Sequence, residues 1–411
     1  MKKNIRTAAM GVAFAFALAC AAPCAAWAVE TPGSVTTIDE AQSWAEAYLD
    51  DAPALLSLDE EKPGWELIEL ASTSWDLRAV SADTSWYSEG ASSYTLSTGS
   101  QLAGLAELVN SGVTFEGKTV TLAKDIVFIR AEVTPIGGEG GHEFNGTFDG
   151  AGYSIRGYSL TSLADADERA TNIALFGGCG EKSVVKNVHV TGATVTVKRS
   201  ASSSQAVSNV AALIGTSKGS VENCTVDAAI DVAVDTPQTD TVKCVMSKIG
   251  GMAANVYGDV KNCEFSGSIK AITNTAGSDG TDGNGRSPGL IVAKTIGGIV
   301  AYLGDPAQEE IEGAKTHGNI YNCVFSGSID SQSPCEAGTD RFGEKISAKT
   351  EGVGGIVGFS LGSVYDSTCR GVVSGAQASM TGGIVGSLRG LSMSGSGDST
   401  EIDYGSKDDI L

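Results

Sequence analysis

The chain has 411 residues, of which 53 are glycine, and its formal net charge is −21 at pH 7. Glycine shows no three-residue period, which excludes collagen, and a hydrophobic content of 42% excludes an intrinsically disordered chain. The acidic balance excludes nucleic acid as the expected partner, since binding to phosphate depends on clustered lysine and arginine. Only 3 histidines are present, so His-based catalysis and metal binding have little support.

The first 28 residues have the pattern of a secretory signal peptide. Basic residues at positions 2, 3 and 6 precede an uncharged stretch that ends in an Ala-Trp-Ala sequence, which is typical of signal peptidase cleavage. We expect cleavage after Ala28 and a protein that is secreted or held at the cell surface. No second hydrophobic span follows, so no membrane span is expected in the mature chain.

Residues 29–93 form an acidic region with a composition of its own. Apolar residues within 38–49 recur at three- and four-residue steps, which predicts an amphipathic helix. Exposed tryptophans can bind sugars, but packing into a core is the favoured interpretation because buried aromatic residues are commoner. The tryptophans concerned are Trp44, Trp65, Trp75 and Trp86.

A helix and several short strands are predicted from residue 94 onwards. Thr98 is a suitable N-cap for a helix whose apolar positions include Leu102, Leu105 and Val109, and Gly112 marks its end. Strands are predicted at 119–122 and 125–128. Glycine-rich turns between short alternating strands follow in 144–157.

Two sequence blocks then recur along the chain and predict the fold. The first block reads GGIVG, and the second reads G-x-V-x-N-C-x-x-x-G. The spacing within each unit is constant, whereas the spacing between units varies, as in stacked coils with insertions at fixed corners. The glycine pairs that open the clearest copies of the first block are Gly250–Gly251, Gly297–Gly298, Gly354–Gly355 and Gly382–Gly383.

Each block is a short alternating strand that cannot bury its apolar face alone. Stacked units can do so if each strand pairs in parallel with its equivalents above and below. Equivalent residues then form ladders with a spacing of about 4.8 Å. The predicted fold class is therefore all-β, a parallel β-helix or β-solenoid, with a short N-terminal capping helix and a small acidic N-terminal region.

Two ladders carry polar or reactive side chains. One is expected at a turn, where asparagine tolerates a left-handed backbone and can bond along the stack; it comprises Asn187, Asn223, Asn262, Asn322 and Asp366. Beside it lie Cys224, Cys263 and Cys323, where another unit has Val188 and the last has Ser367. Buried structural thiols are favoured over redox or metal use, because stacked thiolates would repel and no histidine joins them.

The repeats resemble those of GLUG-motif proteins, bacterial secreted or surface proteins with G-G-L-V-G followed by N-C-x-x-x-G. The resemblance covers residues 94–390. It implies a right-handed parallel β-helix, in agreement with the handedness of parallel crossovers, and an adhesive role more than any particular chemistry. Some proteins with this motif are zinc metallopeptidases with a separate HExxH domain. The nearest string here, at 142–146, has glycine in place of the second histidine.

The sequence offers candidate catalytic and metal-binding residues, but a structural interpretation is favoured for each of them. An acid–base group near one coil could comprise Asp149, Arg156, Asp165, Asp167 and Glu168, but solvated turns are the favoured interpretation. A calcium loop at 277–285 would use Asp279, Asp282 and Asn284, which depart from EF-hand spacing, so a flexible loop is favoured. No cofactor is expected.

Insertions between the second block and the next first block should emerge from one side of the solenoid, and we expect a binding face there. Their ranges are 196–209, 231–248, 270–294 and 330–352; another insertion, 303–317, opens within one unit, and residues 391–411 form an acidic tail. The leading hypothesis is an exported, non-catalytic surface protein that uses these loops to bind a host or cell-surface protein or glycan. The alternatives are a carbohydrate-active β-helix enzyme and a purely structural spacer.

Overall fold

The computed structural model describes residues 78–138, 140–162, 170–200, 205–236, 243–275, 290–304, 318–332, 338–339, 345–346, 349–375 and 380–388. Within these residues the chain forms four sheets of parallel strands, in which equivalent strands of successive coils are neighbours. The protein is therefore an all-β parallel β-helix, and the fold predicted from the repeat is confirmed.

Sheets I and II contain the strands formed by the second block. The strands of sheet I are Arg78–Ala79, Ile126–Glu132, Ser154–Ser162, His189–Ser200, Thr225–Thr236, Glu264–Phe265, Ser268–Thr275, Val324–Phe325, Ser328–Gln332, Thr368–Cys369 and Val372–Gly375. The strands of sheet II are Ser93–Leu96, Thr119–Leu122, Thr147–Asp149, Val184–Lys186, Ser220–Glu222, Val260–Lys261, Ile320–Tyr321 and Val364–Tyr365.

Sheets III and IV contain the strands on either side of the first block's glycines. The strands of sheet III are Ala170–Ile173, Gln205–Val210, Lys243–Gly250, Leu290–Gly297, Lys349–Gly354 and Thr381–Gly382. The strands of sheet IV are Phe176–Cys179, Ile214–Ser217, Ala253–Val256, Val300–Leu303, Val357–Ser360 and Val385–Leu388. A separate antiparallel pair joins Gly338–Thr339 to Lys345–Ile346. Each complete coil passes through sheets III, IV, II and I in that order.

The predicted capping helix is confirmed as α1, Gly99–Asn110. The Thr98 hydroxyl accepts a hydrogen bond from the Gln101 backbone N–H at 3.1 Å, which satisfies one of the amide groups that a helix start leaves open. Leu102 and Leu105 are buried in the same core as the coils. The helix therefore closes the core beside the first strands of sheets I and II.

Residues ahead of α1 belong to the same body. Arg78–Ala79 pairs in parallel with the Ile126–Glu132 strand, and the Asp83 N–H donates to the Ser100 carbonyl at 2.8 Å. Trp86 packs against the core within an aromatic cluster. Its aromatic neighbours are Tyr87, Tyr94 and Phe115. The other three tryptophans, the helix predicted within 38–49, the signal peptide and the acidic tail lie outside the described residues.

Inward-facing residues repeat from coil to coil and form the core. In sheet II, Val185, Val221 and Val260 follow one another in register, and all three are fully buried. In sheet I, the rings of Phe265 and Phe325 stack with centroids 6.1 Å apart and an interplanar angle of 4°. Burying one such side chain contributes about 1.5–3 kcal/mol, so each coil gains stability only when its neighbours cover it.

The glycine pairs mark the sharp bend between sheets III and IV. A Cβ atom on Gly298 would lie 2.1 Å from the Gly355 carbonyl oxygen and 2.2 Å from Cδ2 of Phe325. These distances are far inside van der Waals contact, so the bend packs directly on backbone and on an aromatic ring. At the equivalent position in the last described coil, Gly383, no atom of the described residues lies within 4 Å of such a Cβ.

This difference predicts unequal effects of the same substitution at equivalent positions. Gly298→Ala should lower the free energy of unfolding by about 1–3 kcal/mol, because the added methyl group overpacks the bend. Gly383→Ala, the matched control, should change it by about 0.5 kcal/mol or less. Urea denaturation followed by circular dichroism measures both. Equal effects at the two positions would contradict the proposed close packing.

Candidate functional site

Six connections join a strand of sheet I to the next strand of sheet III in the part of the chain that the structure describes, and we call the edge formed by the ends of these strands the loop corner. The connections are residues 163–169, 201–204, 237–242, 276–289, 333–348 and 376–380. The sequence predicts four insertions here, at 196–209, 231–248, 270–294 and 330–352. Their predicted bounds are wrong, because each of these ranges begins and ends within a strand. Alternating apolar residues such as Val195 and Val197 continue past the second block, so the ladder continues with them.

The extended strands give the loop corner a regular polar outer surface. Thr196, Asp231, Lys270 and Asp330 are consecutive partners across four strands of sheet I. Asp231 and Lys270 are exposed, and their opposite charges alternate along the stack. Parallel pairing thus fixes side chains of successive coils about 4.8 Å apart on this surface.

Lys294, in the Leu290–Gly297 strand of sheet III, crosses the interior at the base of the loop corner. Its side chain is buried, and its ammonium group donates to the carbonyl oxygens of Ala271 at 3.1 Å and Gln332 at 2.6 Å, both in sheet I. The equivalent positions in preceding coils are Ser247 and Ser208. Small Ala271 stands where the earlier coils have Val197 and Val232, which leaves room for the long side chain.

Burial lowers the pKa of Lys294 to about 8, although the nearby Asp330 carboxylate opposes the shift. An ionisable group with this degree of burial costs free energy that the hydrogen bonds offset only in part. Ser331, on the facing strand, is also fully buried, and its hydroxyl has no hydrogen-bond partner among the described residues. The base of the loop corner is therefore a polar interruption in an otherwise apolar core.

The Asn ladder lies at the turn between sheets II and I. Its five residues have φ values between 48° and 55°, the left-handed conformation that asparagine and aspartate adopt more readily than other non-glycine residues. Each amide nitrogen donates to the side-chain oxygen of the preceding rung. The donor–acceptor distances are 2.9 Å for Asn187 to Asp149, 3.2 Å for Asn223 to Asn187, 3.0 Å for Asn262 to Asn223 and 2.9 Å for Asn322 to Asn262.

Asp366 breaks this pattern at the last rung. A carboxylate has no N–H group, so it cannot donate to Asn322 Oδ1 as an asparagine would. Within the described part of the chain, no donor reaches Asn322 Oδ1 or the Asp366 carboxylate. The ladder therefore ends with two neighbouring acceptors at an exposed turn.

The three ladder cysteines are buried behind this turn. Each thiol lies 3.2–3.3 Å from the carbonyl oxygen two residues earlier in its own coil. Burial, reinforced by the two stacked neighbours, raises the pKa of Cys263 well above its usual range, and burial raises the pKa of Cys179 to about 12. Cys263 and Cys179 are therefore poor nucleophiles, because the thiolate is the reactive form. A hydrogen bond with Cys263 lowers the pKa of Cys323. Among the cysteines whose side chains the structure describes, the free thiols are Cys179, Cys224, Cys263, Cys323 and Cys369.

The candidate acid–base residues are engaged in structural contacts. Asp149 lies 3.3 Å from the Lys186 ammonium. Burial would raise its pKa, but hydrogen bonds from Asn187 and the Ala151 N–H, with Lys186, lower it overall. Arg156 pairs with Asp125 at 2.6 Å. Asp165, Asp167 and Glu168 lie outside the described residues, so the structure brings only Asp149 and Arg156 near the same coils.

The outer face of sheet II carries an aromatic column that we define as Lys261, Tyr321 and Tyr365. The Lys261 ammonium lies 5.7 Å from the Tyr321 ring centroid, and the two tyrosine rings stack at 5.1 Å with an interplanar angle of 12°. The sequence patterns described above do not predict this column. Each of these residues directly precedes an Asn-ladder position, so comparison of that position between repeats is the signal that would have found it.

A second group of outward side chains fills the concave angle between sheets III and IV. Asn172 Oδ1 accepts hydrogen bonds from Asn209 and Thr216, at 2.8 and 2.9 Å. Farther along, the Lys248 ammonium lies 4.1 Å from the Tyr302 ring centroid, and Tyr302 stacks on Phe359 at 4.6 Å. Tyr302 and Phe359 are both buried, so their rings stabilise the angle between the sheets.

The described residues contain neither a candidate metal site nor a candidate membrane-spanning helix. No group of three His, Cys, Asp or Glu side chains there is arranged to hold a metal ion. In the HExxH-like string at 142–146, the Glu143 carboxylate forms an ion pair with the Lys218 ammonium at 2.8 Å. The possible calcium ligands Asp279, Asp282 and Asn284 lie outside the described residues. No helix in this part of the chain is both long and apolar enough to cross a bilayer.

Comparison of the chain with protein-family models, curated proteins and solved structures finds no match. The loop corner, the Asn ladder and the aromatic column are thus interpreted from their own geometry.

The buried Lys294 predicts a pH dependence of stability. Its pKa is about 8 in the folded protein against a usual 10.5, so the unfolded chain binds more protons between these values. The free energy of unfolding should therefore rise from pH 8 to 10.5, by up to about 3 kcal/mol from this group. Lys294→Met should remove that rise, whereas Lys270→Met, an exposed control on the paired strand, should keep it. Urea denaturation at several pH values measures the difference; identical profiles for all three proteins would contradict it.

Restoring the last rung should extend the Asn ladder. Asp366→Asn supplies the missing donor to Asn322 Oδ1 and keeps the left-handed turn, so we expect a gain of about 0.5–1 kcal/mol in the free energy of unfolding. Asn262→Asp, the reverse change within the ladder, should lose a similar amount. Thermal unfolding of both variants checks this. A lower unfolding temperature for Asp366→Asn would show that the ladder does not need a donor at this rung.

Proposed function

We propose that the protein is an exported, non-catalytic β-solenoid that binds a host or cell-surface partner through its loop corner. The observation that supports this proposal most directly is that six connections join sheets I and III at one corner. The paired strands that carry them, such as His189–Ser200 and Thr225–Thr236, extend beyond the consensus repeat. A rigid two-sheet base with variable connections is a common arrangement for binding loops.

The arrangement of charges supports binding over catalysis. Several carboxylates on the described coils pair with neighbouring lysine or arginine side chains, as Asp149 does with Lys186 and Glu116 with Lys182. General acid–base catalysis requires a carboxyl group within reach of a substrate and with a pKa near the working pH. The lowered pKa of Asp149 favours its role as an anchor for the Asn ladder.

Export and surface location belong to the same proposal. They rest on the signal-peptide pattern of residues 1–28 and on the resemblance of the repeats to GLUG-motif proteins. A surface protein of this kind would present the loop corner to glycans or proteins of another cell. Its buried Cys179 and Cys263 thiols, whose pKa values are raised, would resist oxidation outside the cell.

Replacement of one connection tests the loop corner. We expect that substituting a short Gly-Ser linker for residues 276–289 will abolish binding to a partner found by probing glycan and matrix-protein arrays with residues 29–411. The strands that end at Thr275 and begin again at Leu290 remain intact, so the unfolding temperature should stay unchanged.

The matched control is the same replacement of residues 305–317, a segment of similar length that connects sheet IV to sheet II. This control should retain full binding. If both variants bind like the unaltered chain, the loop corner is not the binding surface. If the arrays reveal no partner, the structural spacer is the better interpretation.

A further inference from the structure

Lys294 joins two neighbouring strands of sheet I at the point where their pairing ends. Its ammonium group donates to the Ala271 carbonyl on one strand and to the Gln332 carbonyl on the next. The last in-register pair of these two strands is Ile272 with Gln332. The buried side chain therefore supplies hydrogen-bond donors beside the last rung of the backbone ladder.

This ladder is shorter than the one between the two preceding strands of sheet I. The Thr225–Thr236 and Ser268–Thr275 strands stay paired as far as Thr236 and Thr275. The following strand ends at Gln332, so within the described residues Thr273–Thr275 pairs with the preceding coil only. The contact from Lys294 thus stands at the level where backbone pairing holds the preceding coils together.

The core leaves room for the long side chain at this level. The inward ladder of sheet I has Val197 and Val232 in two coils, followed by Ala271 and Ser331 in the two coils that Lys294 contacts. Alanine and serine are smaller than valine, and the space they leave accommodates a side chain that is only 2% exposed. The sequence of sheet I is therefore matched to the lysine on sheet III.

The next strand of sheet III changes register beside Lys294. Lys294 pairs with Thr350, but its neighbour Thr295 pairs with Gly352, so the next coil has one extra residue at this step. Such a bulge bends a strand locally and is common next to functional sites. Both sheets that meet at the loop corner thus depart from the regular ladder where Lys294 lies.

The three strands that Lys294 links border two connections of the loop corner. Ala271 lies on the strand before residues 276–289, Lys294 on the strand after them, and Gln332 directly before residues 333–348. One ammonium group therefore bonds the strands that lead into both connections. A surface whose strand ends are fixed beforehand loses less conformational entropy when a partner binds.

We propose that Lys294 is a positioning residue of the loop corner, which holds the strand ends before residues 276–289 and 333–348 in one fixed arrangement. The two connections then start from a shared base. The consequence for binding rests on the proposed function of the loop corner, whereas the positioning itself is independent of it. Core packing alone explains less, since Ser208 and Ser247 fill the equivalent position without the cost of burying an ammonium group.

Hydrogen–deuterium exchange of residues 29–411, followed by mass spectrometry, tests the proposal without a partner. Lys294→Met keeps an apolar side chain of similar length but removes the donors, so exchange at Thr273–Thr275 and Ser331–Gln332 should accelerate about tenfold. The unfolding temperature at pH 7 should not fall, because an apolar group replaces a buried charge. Lys270→Met, an exposed control on the same strand as the first of these segments, should leave exchange unchanged.

A pH series on the unaltered chain gives an independent measurement. Burial lowers the pKa of Lys294 to about 8, against the opposing effect of the Asp330 carboxylate. Raising the pH from 7 to 9.5 should therefore neutralise the ammonium group and weaken its charge-assisted hydrogen bonds. After correction for the intrinsic exchange rate, both strand ends should lose about threefold in protection, and Lys294→Met should show no such loss.

Two results would overturn the proposal. One is unchanged exchange at both strand ends, either in Lys294→Met or across the pH series. The other is equal acceleration at Lys198–Ser200 and Val234–Thr236, the corresponding strand ends of earlier coils, because Lys294 would then stabilise the core as a whole. No partner takes part in these measurements, so unchanged binding after replacement of residues 276–289 would reject the proposed function alone.

Discussion

The structure depends on one constraint: every strand of the four coil sheets must pair in parallel, and in register, with its equivalent in the next coil. A single coil exposes nearly all of its apolar surface, so its strands become stable only between covered neighbours. The constraint explains the core ladders such as Val185, Val221 and Val260, because any shift by one residue would turn these side chains outward. It also explains Gly298, where the backbone of one coil lies against the next too closely for a side chain.

Two residues depart from the repeat at positions where the other coils agree. Lys294 replaces a small residue in the core at the base of the loop corner, and Asp366 replaces an asparagine at the last described rung of the Asn ladder. Both changes cost stability that the consensus residue would provide. Natural proteins commonly accept such local conflicts where a surface has a second use.

Much of the fold could be predicted from the sequence, because the constant spacing within each repeat specifies strands, bends and register together. The left-handed conformation of the ladder asparagines followed from their place in a turn. The strand extensions could not be predicted as easily, since the alternation beyond the block has no consensus residues to mark it. The roles of Lys294 and the aromatic column could not be predicted without the three-dimensional register of the strands. The role of Lys294 depends on the facing sheet, and the aromatic column depends on which residues point outward in successive coils.

The direction of the Asn ladder has a consequence for how the molecule could change in length. Every amide donates toward the N-terminal end, from Asn322 down to Asp149, so the side-chain dipoles add along the axis and successive bonds strengthen one another. Any interior rung presents the same acceptor to one neighbour and the same donor to the other. A whole coil could therefore be duplicated or deleted between Asn187 and Asn322 with the chain of bonds reclosed, and the length of the solenoid would change in steps of one coil.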